Sequence, residues 1–317
     1  MKNILYILIL NFLYGSVVAQ MPGSGISLES NVLDGVYIQE HIPTKRVVSY
    51  THLREADVMW AKRVWRVIDL KEKMNHKLYY PLTPQNDRIS LWDVIRYGVL
   101  TENRLTVYSL NKLDLDDKFR FPVLPTNGNV NDEEFKKELN SYFGNTTSEQ
   151  VVLYNEESGE DEPQYTTDAN GDEIPSMKDT TIFYKSQDII QYHLKEDWFF
   201  DKQRSVLDVR IIGISPCIIG YDQMSGDIVG IQNLFWLYFP ECRYVFQNFY
   251  VFNDANDSQK MSFDDLFWKR EFSSYINKES NVFDRAISPN WDGLDALLES
   301  ERIRTEMFTF EHDLWHF

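Results

Sequence analysis

The residues whose types and spacing could carry chemistry are few. His312 and His316 lie four apart, flanked by Glu311 and Asp313. On a helix two such imidazoles face one way and can chelate zinc, but an ordinary site takes three or four protein ligands. At a helix C-terminus the same pair simply sits well in the dipole field, and that reading is preferred. Cys217 and His193 can be imagined as a nucleophile and its base. Cys217, however, sits among Ile211, Ile212, Ile214, Ile218 and Ile219, and apolar surroundings raise a thiol's pKa. Asp168, Asn170 and Asp172 alternate as in a calcium loop, yet Gly171 falls at loop position 4 rather than 6 and no glutamate follows at position 12. There is no Gly-x-Gly-x-x-Gly, phosphate-binding loop, Gly-x-Ser-x-Gly or His-Glu-x-x-His. Carboxylates are abundant, but abundance alone assigns no acid–base pair. No catalytic, cofactor-binding or metal residue is assigned, no cofactor is expected, and the chain is read as a non-enzyme.

The elements around these residues centre on 230–246, GIQNLFWLYFPECRYVF. Its run of apolar and aromatic residues at 234–239 is too short to span a bilayer as a helix, which needs roughly 20 residues. It reads as a strand buried on both faces and ended by Pro240. With 206–219 before it and the aromatic 244–252 after it, residues 206–252 are predicted to form the central strands of a sheet. Residues 51–75 are predicted helical, with Ala61, Val64, Trp65 and Ile68 at helical spacing. Ser90 with Asp93, and Ser262 with Asp265, each open a helix in the manner of a capping box. Residues 105–110 alternate like a strand. Residues 131–143 read as a charged helix capped by Asn131, and 186–204 as another helix. The last helix starts near Gly293, with a stripe of Ala296, Ser300, Ile303, Met307, Phe310, Leu314 and Phe317.

Composition bounds the rest. A chain of 317 residues holds one large domain or two small ones, here 51–143 and 180–317 within a body at 51–317. The net charge of −17 argues against nonspecific binding to nucleic acid or anionic membrane. Residues 144–179 hold ten acids and one base, with many turn formers, and read as a flexible, solvated acidic insertion. Lys2, the apolar residues 4–14, and Val17 and Ala19 before Gln20 have the layout of a signal peptide at 1–19; a short N-terminal anchor is the alternative. Residues 20–50, with Pro22, Gly23, Gly25, Gly35 and Pro43, read as an extended arm. The two cysteines, Cys217 and Cys242, either pair in an oxidising compartment or stay as buried thiols.

The expected fold class is α+β: mixed helices and a mainly antiparallel sheet, an extended N-terminal arm and a long C-terminal helix. Several long segments also carry a family resemblance. ADVMWAKRVWRVIDLKEKMNHKLYYPL at 56–82, LFWLYFPECRYVF at 234–246, MSFDDLFWKREFSSYINKESNVFDR at 261–285 and GLDALLESERIRTEMFTFEHDLWHF at 293–317 resemble the GldN/PorN family of the gliding-motility and type IX secretion machinery of Bacteroidota. The resemblance implies a periplasmic, non-enzymatic structural protein held at the inner face of the outer membrane through its partners. Those partners are a GldK/PorK-like outer-membrane lipoprotein, with which it forms a ring, and the periplasmic part of the GldM/PorM-like motor protein. A periplasmic hydrolase or carbohydrate-binding protein acting on envelope polymers is the alternative from another class.

Overall fold

The computed structural model describes residues 46–317, apart from 86–87, 111–118, 126–127, 222–225, 254–255, 257–259, 289 and 315–317. Within the acidic segment, 151, 155–160, 164, 168–172 and 176 are also outside the description, and 147–180 are described by backbone alone. The expected signal peptide at 1–19, and the expected arm at 20–50 as far as residue 45, lie outside the described residues.

In chain order the first elements are β1 (Val58–Asp69), α1 (His76–Tyr79), α2 (Leu91–Arg96), β2 (Val107–Tyr108) and α3 (Glu133–Phe143). The acidic segment follows as β3 (Gly144–Gln150), β4 (Val152–Tyr154), β5 (Asp161–Pro163), β6 (Tyr165–Thr167), β7 (Glu173–Pro175) and β8 (Met177–Phe183). Then come β9 (Ile189–Asp201), β10 (Val206–Tyr221), β11 (Ile228–Asn233), β12 (Trp236–Tyr238), α4 (Phe239–Phe246) and β13 (Tyr250–Val251). The chain closes with β14 (Met261–Ser262), α5 (Phe263–Lys269), β15 (Tyr275–Glu279) and α6 (Gly293–Asp313). The expected α+β class is what is found. Seven strands form one sheet in the order β15-β1-β9-β10-β12-β2, with β11 also on β10, and every pairing in it is antiparallel.

Two predicted helices are strands. Residues 51–75 contain β1, paired along 58–69 with β9 and at Val64 to Val67 with β15. Residues 186–204 contain β9, the partner of both β1 and β10. The misleading signal was charge. Lys195 and Glu196 are buried, 1% and 0% exposed, one on each face of β9, so the expected apolar alternation is broken at its centre. In β1, Val64, Arg66 and Ile68 line one face, and the buried Arg66 hides the period of two. β-Branched and aromatic content pointed to strand in both segments.

Within the predicted strands of 206–252, residues 239–246 form α4 instead, with Pro240 in its first turn, where a missing N–H costs nothing. Ser90 and Ser262 do cap helices: each side chain accepts from the backbone N–H three residues on, at 3.2 and 3.1 Å. The 131–143 helix starts at Glu133 and is capped by Asp132, not Asn131. Only Val107–Tyr108 of the predicted 105–110 strand is strand. In the acidic segment, expected as a flexible, solvated insertion, the ends pair in register, Gly144 opposite Phe183 through Gln150 opposite Met177, with two shorter strand pairs beyond.

Register sets which residues face the helices. Val64 lies opposite Glu196, Arg66 opposite Leu194 and Ile68 opposite Tyr192. On this face α2, α4 and α5 bury Trp92, Phe246, Phe263 and Phe267 with Phe143, Phe235 and Phe239 in one aromatic-rich cluster. A second, small cluster joins α6 to the sheet: Val64, Ile276, Ile287, Ile303 and Met307, flanked by Trp60, Trp198 and Ala296. The predicted stripe is the inner face of α6 from Ala296 to Phe310, which stacks on Trp60 at 4.7 Å, whereas Leu314 is 37% exposed beyond the helix and Phe317 lies outside the described residues. Ser300 has a separate task. A bulge in the β1–β15 pairing leaves the Ile276 N–H available, and that group donates to Ser300 Oγ at 2.9 Å.

Candidate functional site

Two of the buried charges on the helix side of the sheet, Glu196 and Arg243, are each met by a counter-ion from α5 or its C-terminus. The first is Glu196 at the middle of β9, 0% exposed. Its carboxylate accepts from Arg270 Nη2 at 2.8 and 3.1 Å and from Trp198 Nε1 at 3.2 Å. Arg270 comes from the C-terminus of α5 and has a left-handed backbone, φ 56°. That position usually takes glycine, because a Cβ there costs about 1 kcal/mol. The reach to Glu196 accounts for an arginine: without it a fully buried carboxylate would stand unpaired. Neighbouring Arg66 donates from Nε to Ser274 Oγ at 2.9 Å and from Nη2 to the Ser274 carbonyl at 3.0 Å. Burial pulls the Arg66 pKa down while Glu196 holds it up.

The second joins α4 to α5. Arg243 donates from Nε to Asp264 Oδ1 at 2.7 Å and from Nη2 to Oδ2 at 3.2 Å, a two-pronged pair between buried residues. Tyr50 and Trp268 lie 4.7 and 4.8 Å from the Arg243 guanidinium and stack on each other at 5.5 Å. Arg210 lies 5.1 Å from the Tyr50 ring and donates from Nη2 to the Thr51 carbonyl at 2.5 Å. Burial raises the Tyr50 hydroxyl pKa, with Arg243 acting against it. A cavity of about 370 Å³ remains here, lined by Val48, Tyr50, Asp208, Arg243, Asp264 and Trp268 among others. The arrangement is a clasp. Two guanidinium planes and an indole grip one tyrosine, and they fix the chain at Tyr50 against β10, α4 and α5. Cation–π contacts of this kind contribute roughly 0.5–2 kcal/mol each as water is excluded.

The residues weighed for chemistry lie elsewhere. Cys217 and Cys242 are free and buried, so among the alternatives left open the buried thiols are found. Cys217 Sγ donates to Asn233 Oδ1 at 3.0 Å, and burial pushes its pKa up, the reverse of an activated nucleophile. His193 is pulled down to about 4 by burial and stays neutral at physiological pH. His312 ends α6, while His316 lies outside the described residues, as do Asp168, Asn170 and Asp172. Among the described residues no group of three His, Cys, Asp or Glu could hold a metal, and no helix is long and apolar enough to cross a membrane.

The clasp and the Glu196 pair were not anticipated from the sequence. A signal existed, since Arg243 stands inside an aromatic run and Glu196 amid Leu194, Trp198, Phe199 and Phe200. A charge embedded in apolar sequence needs a buried partner. Which residue supplies it depends on register.

Fold and site together define a class: an α+β body whose interior charges tie its helices, and the root of its N-terminal segment, to one antiparallel sheet. The chain belongs to the GldN family; a family profile described as "Gliding motility associated protein GldN" matches residues 53–316. It is thus a gliding-motility-associated protein. No curated protein sequence matches it.

Proposed function

We propose that this chain is a non-enzymatic structural component of the type IX secretion and gliding machine in the periplasm. It forms a ring with a GldK/PorK-like outer-membrane lipoprotein, which holds it at the inner face of the outer membrane. It also contacts the GldM/PorM-like motor and passes motor work toward that membrane. The family match supports the machinery, and the Tyr50 clasp supports an assembly role. Arg210, Arg243 and Trp268 hold the chain at Tyr50, just after residues 20–45, against the sheet and its helices. A ring requires repeated contacts between unlike patches, and a segment leaving a fixed root is suited to one. The test is a mature protein starting at residue 46, expressed with the lipoprotein. It is expected to fold yet no longer co-purify as a large complex. Full-size assembly would remove the arm from the reading. Cleavage of peptidoglycan fragments by the purified mature chain, abolished by one carboxylate substitution, would overturn the structural role itself.

A further inference from the structure

One groove departs from the overall charge of the molecule. It has a volume of about 880 Å³ and is lined by Lys73, His76, Tyr80, Arg88, Tyr250 and Phe252 among others, from the segment around α1 and from β13 and the residue after it. The chain carries −17 overall, yet among the described residues lining this groove there is no aspartate or glutamate. Neither Lys73 nor Arg88 forms an ion pair with a described carboxylate. Cations lie over two of its rings, Arg88 over Phe252 at 5.2 Å and Lys260 over Tyr250 at 5.1 Å, while Tyr80, met edge-on by His76 at 5.7 Å, stays 52% exposed. An incoming ligand therefore meets Lys73 and Arg88 as well as ring faces. The basic lining favours an acidic polypeptide over a neutral sugar.

We propose that this groove receives the acidic hairpin, residues 144–183, of a second copy of the chain. The inference rests on the assembly reading above and gives it one specific contact. Residues 144–179 hold ten acids and one base, so the chain itself carries the complement to the groove. The hairpin's root is next door, because Ser186 Oγ donates to the Tyr79 carbonyl at 3.0 Å and Trp92 Nε1 to the Tyr184 carbonyl at 2.9 Å. From that root the seven paired residues of β3 and β8 form a stem of about 24 Å. Most of the acids lie beyond this stem in sequence, and the stem leads away from the groove at its root. Acidic hairpin to basic groove is a head-to-tail contact that propagates from copy to copy. It is steered by charge and weakened by salt.

The test uses the purified mature chain without other proteins, followed by sedimentation at 50 and 500 mM salt. One variant carries Lys73→Glu with Arg88→Glu; the other carries Glu156→Gln, Glu157→Gln, Glu160→Gln, Asp161→Asn and Glu162→Gln. Wild type is expected to self-associate at least tenfold more weakly at high salt, and each variant alone to stay monomeric. Mixed, the two variants are expected to form a one-to-one complex, since one keeps its hairpin and the other its groove. Unchanged melting temperatures show that both are folded. Three results would overturn the proposal: a wild type monomeric at both salts, a groove variant that associates like wild type, or a mixture that fails to pair. A fourth is a groove that binds polygalacturonate more tightly than polyglutamate of equal charge, which would make the ligand a glycan. Loss of the lipoprotein complex on truncation at residue 46, combined with any of these, leaves the ring reading standing and removes only this contact.

Discussion

Two groups of helices lie on the same face of one sheet and are held by different means. α2, α4 and α5 share an aromatic cluster in which Phe239, Phe246, Phe263, Phe267 and Phe272 form a chain of ring contacts 5.3–6.3 Å apart. α6 rests on five buried apolar residues and one hydroxyl, while Leu294, Leu297, Leu298 and Phe308 on its outer side stay 57–69% exposed. Between the groups stand Glu196, Arg270 and Arg66. Burial on the first side is deep enough to set the global stability of the fold. On the second it is shallow enough for α6 to open by itself, because local opening follows the number of buried apolar contacts.

The comparison can be broken or sharpened by substitution. Phe246→Ala on the deep side is expected to destabilise the whole fold by about 4 kcal/mol, read from urea unfolding. Arg270→Gly relieves the left-handed backbone yet leaves Glu196 buried without its counter-ion, so the expected net loss is about 3 kcal/mol. A variant as stable as wild type would show the ion pair to be dispensable. Met307→Ala on the shallow side is expected to cost about 2 kcal/mol and to speed amide exchange in α6 ahead of β9 and β10. Equal acceleration in all three elements would show that α6 opens only with the rest. Ser300→Ala leaves the Ile276 N–H without its acceptor and is expected to cost about 1 kcal/mol, with exchange at Ile276 rising most. Unchanged exchange there would mean that the bulge has another acceptor.

The shallow side was easier to read in the sequence than the deep one. The α6 stripe keeps helical spacing from Ala296 to Phe310, interrupted only by Ser300, and its helix was found within a residue of its start. Both serine caps were legible because the capping pattern is local. β1 and β9 were not legible. Their buried charges, Arg66, Lys195 and Glu196, are stabilised by partners far along the chain, Ser274 for Arg66 and Arg270 for Glu196. A local pattern cannot carry that information. α4 was misread for a related reason: Pro240 ends a strand or begins a helix equally well, and the packing of Phe239 and Phe246 under α5 decides between them. The clasp at Tyr50 depends on Arg210, Arg243 and Trp268, which come together only once β10, α4 and α5 are placed.

The pairing of β9 with β10 has a mechanical consequence. Register runs from Val206 opposite Asp201 to Ile218 opposite Ile189, nearly the full length of β9. Antiparallel hydrogen bonds lie perpendicular to the strands, so a pull along their axis loads all of them at once and must shear them together. The acidic hairpin hangs from a two-stranded stem, and a pull that spreads the strands at its root loads one pair at a time and unzips it. Under tension the sheet is the stiff member of this molecule and the hairpin its compliant one.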